Sequence, residues 1–222
     1  MTGKVMTIEN LGQTMVPWMD AVHSQARSKG WWENFEKGGL LSRNLGEIFF
    51  LIKTELAEAY EEWRKPDSSM TRVYEGEKGK PEGIPIELAD AVIRMLDTAA
   101  ACNLLTKGEF TSHLDLIMSV SFNMRSYLPV VENFGEALDN VANRLTRARL
   151  AFVSVAPDLN YIGTENPERY HGAVMAMKYP LLNAIDDIFE IAEKHGMALG
   201  SAISIKHAFN GTRPHRHGGK KS

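Results

Sequence analysis

The chain has 222 residues, of which 44% are hydrophobic and 24% are charged, and its formal net charge at pH 7 is −3. This composition excludes disordered and fibrous proteins, and the length suits one domain with a sizeable core. The single cysteine, Cys102, excludes an internal disulfide and is typical of a reducing compartment. Because the opening MTGKVMTIEN is too polar for a secretory leader and no apolar run approaches the roughly 20 residues of a membrane span, we expect a soluble, cytoplasmic protein without membrane contact.

Three helices are predicted in the first half of the chain. Apolar residues recur at spacings of three and four over residues 7–29, and Gly30 ends this amphipathic segment. A second helix is expected over 45–64, and a loop rich in proline and glycine follows it. Pro85 occupies a position that is favourable at the start of a helix, so a third helix is expected over 85–102.

Four further helices are predicted in the second half. They are expected over residues 110–128, 133–152, 173–195 and 199–209. The third of these is expected to bend at Pro180, and the closing stretch NGTRPHRHGGKKS is expected to be extended. No segment shows the alternation of apolar and polar residues that is typical of a strand. The sequence therefore predicts an all-α fold.

The second helix concentrates acidic residues in the stretch LIKTELAEAYEEWRK. Glu55 and Glu58 are three positions apart, so they project from one helix face, at the border of the apolar stripe. The third helix repeats this spacing with Glu87 and Asp90. If the two helices pack antiparallel through their apolar stripes, the four carboxylates converge on one place.

Four converging carboxylates predict a cation site. They repel one another strongly in a crevice of low dielectric, and a bound divalent cation relieves that repulsion. Oxygen ligands without cysteine or histidine favour Mg²⁺, with Mn²⁺ as the second choice. A single pair of this kind is usually just a solvent-facing helix surface, and it is the repetition on two helices that favours the metal. Glu61 and Glu62 are assigned to the solvent face.

Three stretches together resemble the MazG-like nucleoside triphosphate pyrophosphohydrolases, an all-α group that also contains the dimeric dUTPases. They are LIKTELAEAYEEWRK, IPIELADAVIRMLD and IKHAFNGTRPHRHGGKK. The family carries E-x-x-E and E-x-x-D on consecutive helices, and its closing segment often reads K-x-x-x-N-x-x-R followed by H-G-G-K. In this chain the closing motif consists of Lys206, Asn210, Arg213 and the run 217–220.

The resemblance does not cover the middle of the chain. We divide the sequence into a core, 7–102 plus 197–222, and a helical insertion over about 103–196, which simple family members lack. The insertion is expected to pack beside the core as a degenerate half or a substrate cover. Within it, Glu136 and Asp139 repeat the E-x-x-D spacing, but a helix N-terminus favours acids in any protein. Thr54-Glu55 stands where the family often has two glutamates, and we align Glu55 with the second.

The resemblance implies Mg²⁺-dependent hydrolysis of a nucleoside triphosphate, with a deoxynucleotide favoured, to the monophosphate and pyrophosphate. In that mechanism Glu55, Glu58, Glu87 and Asp90 hold the metal, and Glu55 orients or deprotonates the attacking water. Phosphates are expected to contact Lys206, Arg213 and Lys220. Asn210 suits a sugar hydroxyl or a phosphate, and Trp31 suits stacking on a base, although core packing is the commoner role of a tryptophan.

Two other interpretations remain. A di-iron bundle needs two Glu-x-x-His motifs, and only Glu168 to His171 has this spacing. A non-enzymatic helical interaction protein would instead use the basic tail, which has no acid from Ser201 onward, to bind an acidic partner or nucleic acid. The enzyme interpretation predicts dependence on Mg²⁺ and no nucleic-acid partner. It leaves open a homodimer, a higher oligomer or a pseudo-dimer within one chain.

Overall fold

The computed structural model describes residues 11–33, 42–104, 133–159, 161–162 and 167–219. Over these residues the chain is mostly helical, which confirms the predicted class. The helices are α1 Leu11–Ser28, α2 Leu45–Arg64, α3 Ile84–Ala101, α4 Phe134–Val155, α5 Pro167–Lys194, α6 Leu199–Thr212 and the short α7 Arg216–Gly219. The helix predicted over 110–128 lies outside the described residues. In the described ranges no helix combines the length and apolar character that crossing a membrane requires.

Two small antiparallel pairs of strands accompany the helices. They are β1 Arg43–Asn44 with β4 Tyr161–Ile162, and β2 Tyr74–Glu75 with β3 Pro81–Glu82. The sequence does not predict them, because a strand of two residues is too short to show alternation. The second pair is a hairpin in the loop between α2 and α3, and a 3-10 turn, Glu77–Gly79, forms its tip.

The end of α6 corrects one sequence prediction. Residues 210–212 were expected in the extended tail, but α6 continues through Thr212, so Asn210 is helical. The helix ends at Arg213, which has an extended backbone with ψ of 146°. The cause is Pro214, since a proline ring disfavours helical geometry in the residue before it. The short α7 also lies within the stretch that was predicted to be extended.

Helix α3 is at the centre of the packing. It contacts α1, α2 and α6, and nearly all of its side chains up to Leu96 are buried. Helices α4 and α5 pack against each other, and they also contact α2 and α3 respectively. The helices of the predicted insertion that the structure describes therefore lie against core helices. Glu136 and Asp139 on α4 are exposed, and Asp139 accepts a hydrogen bond from Asn143 at 2.9 Å, as expected for a solvent-facing helix start.

Gly83 joins the hairpin to α3, and only glycine fits there. Its φ is 115°, and a Cβ atom would lie 2.3 Å from the carbonyl oxygen of Arg72. We expect Gly83→Ala to lower the free energy of unfolding by roughly 3 kcal/mol or more, measured by urea denaturation. Gly196→Ala is the control, since Gly196 also has a positive φ but a Cβ there meets nothing within 4 Å. The control should cost about 1–2 kcal/mol, and equal costs would contradict the clash.

Candidate metal centre and adjoining cleft

Three carboxylates meet where α2 packs on α3. One oxygen each of Glu55, Glu58 and Glu87 lies within 4.8 Å of the other two. Glu55 and Glu87 are buried, and Glu58 is exposed on the solvent side of the group. Glu87 is in the first turn of α3, where the helix dipole stabilises an anion. The structure therefore brings together three of the four predicted ligands, and we call Glu55, Glu58 and Glu87 the carboxylate group.

Asp90, the fourth predicted ligand, lies beside this group, where its partners are mainly cations. Lys206 Nζ is 3.3 Å from Asp90 Oδ2, and Arg94 Nη2 is 3.9 Å from the same oxygen. The amide of Asn210 donates to Asp90 Oδ1 at 3.4 Å. Asp90 is thus held by three side chains from α3 and α6, and its role as a metal ligand stays a prediction.

Lys206 is a buried counterion. Its side chain is 3% exposed, and its Nζ lies 3.5 Å from Glu87 Oε2 as well as 3.3 Å from Asp90 Oδ2. Burial by itself would lower the pKa of Lys206, but Asp90, Glu87 and Glu55 outweigh it and raise that pKa. A charged Lys206 therefore offsets part of the negative charge of these carboxylates from inside the protein. To contact a phosphate, its ammonium group would have to move away from Glu87 and Asp90.

Arg94 is part of the site, although it belongs to none of the motifs in the sequence. Its guanidinium binds Glu55 Oε1 through Nε at 2.9 Å and Nη2 at 2.8 Å. Arg94 follows Asp90 by four positions on α3, so the two side chains share a helix face. That spacing is the signal in the sequence from which Arg94 can be found. Because Glu55 contacts Arg94 while Glu58 meets the earlier Glu87, the two helices run antiparallel, which is the arrangement that brings the acids together.

The acidic groups titrate differently because their partners differ. Burial raises the pKa of Glu55 to about 7, and the neighbouring Asp90 adds to the effect. Burial also raises the pKa of Glu87. For Asp90 burial acts in the same direction, but Arg94 and Lys206 outweigh it and hold the pKa below its usual value. Burial therefore disfavours the ionised forms of Glu55 and Glu87, whereas the adjoining cations favour the ionised form of Asp90.

The donor chemistry of this group fits a hard divalent cation. It offers carboxylate oxygens from two helices, and no cysteine or histidine belongs to it. Glu87 Oε2 is buried and accepts no hydrogen bond from any described residue. Its described partner is the Lys206 ammonium at 3.5 Å, which is an ionic contact without a hydrogen bond, and a bound cation would supply a closer one.

A cleft of about 80 Å³ opens next to Asp90. Its lining includes Trp31, Arg43, Asp90, Arg94 and Asn210. Helices α1, α3 and α6 all contribute residues to this lining. The guanidinium of Arg43 lies 5.6 Å from the centre of the Trp31 ring, a cation–π distance. The predicted base-stacking residue therefore lines the same cleft as Asn210.

Trp32, the neighbour of Trp31, has a structural role. Its ring is 5% exposed, and its Nε1 donates to both carboxylate oxygens of Asp97 at 2.9 Å. His23 Nδ1 lies 2.7 Å from Asp97 Oδ1. Asp97 thus ties α3 to α1 and to the segment that follows it. The contacts of Asp97 with Trp32 and His23 join residues far apart in the sequence, so no local spacing predicts them.

The remaining predicted contacts lie at the end of α6. Lys29 Nζ donates to the carbonyl oxygens of Gly211 and Arg213, both at 2.7 Å, and so caps this helix end. The guanidinium of Arg213 forms no hydrogen bond or ion pair with the described part of the chain, and burial lowers its pKa. Asn210 Oδ1 is buried and lacks a donor among the described residues. Lys220 lies outside the described residues.

Comparisons with known proteins found no relative from which a function could be inferred. No protein-family model matches the sequence, and neither a curated protein nor a solved structure matches the chain. The likeness to MazG-like enzymes therefore rests on the three sequence stretches that carry it. The activity that this likeness implies is a proposal, whose physical support is the geometry described above.

Proposed function

We propose that the protein is a Mg²⁺-dependent hydrolase that converts a nucleoside triphosphate, with a deoxynucleotide favoured, to the monophosphate and pyrophosphate. The observation that carries this proposal is the carboxylate group, whose three side chains bring oxygens within 4.8 Å of one another. The cleft next to Asp90 supports it, because it provides an aromatic face and polar groups close to the acids.

Glu55, Glu58 and Glu87 would hold the ion, and Asp90 is the proposed fourth ligand. When bound, Mg²⁺ supplies positive charge that offsets charge on phosphate oxygens and lowers the pKa of a bound water. Mn²⁺ is the alternative with the same ligand preference. Arg94 fixes Glu55 through two contacts at one oxygen, so this ligand is oriented before any ion binds.

Glu55 is the proposed proton acceptor. In the reaction the oxygen of water bonds to the α-phosphorus, the bridging α–β P–O bond breaks, and pyrophosphate leaves with the electron pair of that bond. The water loses a proton, which a carboxylate within hydrogen-bonding distance of it can accept. Oε1 of Glu55 is held by Arg94, whereas no described side chain donates to Oε2, which leaves Oε2 to face the ion and its bound water.

The cleft would orient the nucleoside. Trp31 offers a ring for stacking on the base, and Asn210 Oδ1 lacks a donor that a sugar hydroxyl would supply. Arg213 is the proposed phosphate contact on this side, since its guanidinium has no protein partner in the described ranges. Lys206 is proposed to keep Glu87 and Asp90 in place, and its direct contact with a phosphate is a separate part of the proposal.

The interaction-protein alternative gains no specific support. Part of its basic tail is docked on the core, because Arg216 bonds Lys29 O through its backbone at 2.9 Å and Gly30 O through Nε at 3.0 Å. An arginine that is docked on the core is less accessible to another molecule than the same arginine in an extended tail.

A product assay tests the proposal. The protein is incubated with a panel of ribonucleoside and deoxynucleoside triphosphates, with Mg²⁺ or with EDTA, and both phosphate products are measured. We expect pyrophosphate and monophosphate in equal amounts, only with the metal. Release of single phosphate, or turnover that is unaffected by EDTA, would count against the proposed reaction.

A further inference from the structure

The hairpin between α2 and α3 brings a lysine to the edge of the carboxylate group. Lys80 lies between the 3-10 turn and β3, and its Nζ is 3.8 Å from both Glu87 Oε1 and Glu82 Oε1. Both distances are beyond hydrogen-bonding range, so these are weak ionic contacts. The sequence places Lys80 in a loop and gives it no role.

Hydrogen bonds fix the backbone of Lys80, whereas its side chain makes only the two weak ionic contacts. The amide of Gly76 donates to the carbonyl oxygen of Lys80 at 2.7 Å. The hydroxyl of Tyr74 donates to Glu62 Oε2 at 2.9 Å, which ties the hairpin to the end of α2. Lys65 Nζ donates to the same hydroxyl at 2.9 Å. The hairpin therefore presents Lys80 from a fixed position, and Glu62 anchors the hairpin rather than only facing solvent.

Two lysines contact opposite oxygens of Glu87, in different environments. Lys206 reaches Oε2 and its side chain is 3% exposed, whereas Lys80 reaches Oε1 and its side chain is 37% exposed. Lys206 is enclosed between two carboxylates, and moving it leaves both without their counterion. Lys80 can turn outward into solvent at little cost, because its side chain forms no hydrogen bond with the residues that the structure describes.

We propose that Lys80 is a phosphate-binding residue that contacts the distal phosphates of the substrate and the departing pyrophosphate. The inference rests on the proposed function and goes beyond its sequence-derived phosphate contacts. When a cation neutralises Glu87, the attraction between Glu87 and Lys80 weakens, and a polyphosphate at the same cation offers stronger acceptors. The anchored hairpin lowers the entropy lost on binding, since only the side chain must be ordered.

Binding of inorganic pyrophosphate with Mg²⁺, measured by isothermal titration calorimetry, tests this role. We expect Lys80→Met to weaken binding about tenfold, the order of one charge-assisted hydrogen bond at a partly exposed place. Lys80→Arg should restore much of the affinity. Lys78→Met is the control, because Lys78 is exposed on the same hairpin and its replacement removes the same charge. Equal thermal melting temperatures of all variants establish that the fold is intact.

Turnover of triphosphates, measured on the same proteins, separates this inference from the proposed function. If the wild type releases pyrophosphate from a triphosphate but Lys80→Met binds pyrophosphate as tightly, Lys80 has no such role and the function stands. If no triphosphate is hydrolysed but pyrophosphate binding depends on Lys80, the subsite is correct and the function is wrong. Wild-type protein that fails to bind pyrophosphate overturns the inference, as does an equal loss in Lys78→Met.

Discussion

Replacing Glu58 with glutamine is expected to lower the rate of pyrophosphate release on the order of 10²- to 10³-fold. Glu58 is the exposed member of the carboxylate group, and the amide removes one of the negative charges that would hold the ion. A catalytic metal contributes several kcal/mol of charge stabilisation in the transition state, and each 1.36 kcal/mol is about tenfold in rate. The rate constant kcat at saturating Mg²⁺ is the quantity to compare.

Glu61→Gln is the matched control for this prediction. Glu61 is on the same helix, its side chain is 67% exposed, and its partner is Arg64 at 3.0 Å rather than the carboxylate group. The control variant should retain kcat, and neither variant should melt below the wild type, because neither side chain is buried. Similar rates for Glu58→Gln and Glu61→Gln would remove Glu58 from the metal site.

Replacing Lys206 with methionine is expected to lower the free energy of unfolding by about 3–5 kcal/mol, measured by urea denaturation without divalent metal. The substitution leaves Glu87 and Asp90 buried without the ammonium group that lies 3.5 and 3.3 Å from them. Methionine fills a similar volume, so the loss reports the missing charge rather than a cavity.

Two further variants isolate the effect of the Lys206 charge. Lys53→Met removes a half-buried lysine that donates to Thr146 at 2.8 Å, and it should cost only about 1 kcal/mol. In the double variant Lys206→Met with Glu87→Gln, one of the uncompensated charges is gone, so part of the stability should return. A double variant that is less stable than Lys206→Met alone would mean that Lys206 acts through packing.

The sequence is sufficient to predict most of the described helices and the approach of three of the four acids. Spacing of apolar residues places α2 and α3, and the i, i+3 pattern puts Glu55 and Glu58 on one face. Packing of the apolar stripes then brings Glu87 to them, as predicted. These features depend on local geometry and on burial of apolar surface, both of which a single sequence encodes directly.

The partners of the acids are harder to predict because they depend on tertiary contacts. Lys206 belongs to a helix far along the chain, and only the packing of α6 on α3 shows that it is buried against Asp90 rather than directed to solvent. Lys80 depends on a hairpin whose strands are too short to leave a pattern. The end of α6 is the opposite case, because Pro214 is a local signal in the sequence that ends the helix at the residue before it.

The position of the attacking oxygen tests the central claim most directly. The protein is incubated with Mg²⁺ and the panel of triphosphates in water enriched in ¹⁸O, and the products are analysed by mass spectrometry. Attack at the α-phosphorus predicts one ¹⁸O atom in the nucleoside monophosphate and none in pyrophosphate. Label in orthophosphate, label in pyrophosphate instead of the monophosphate, or no turnover of any triphosphate by folded protein would contradict the account.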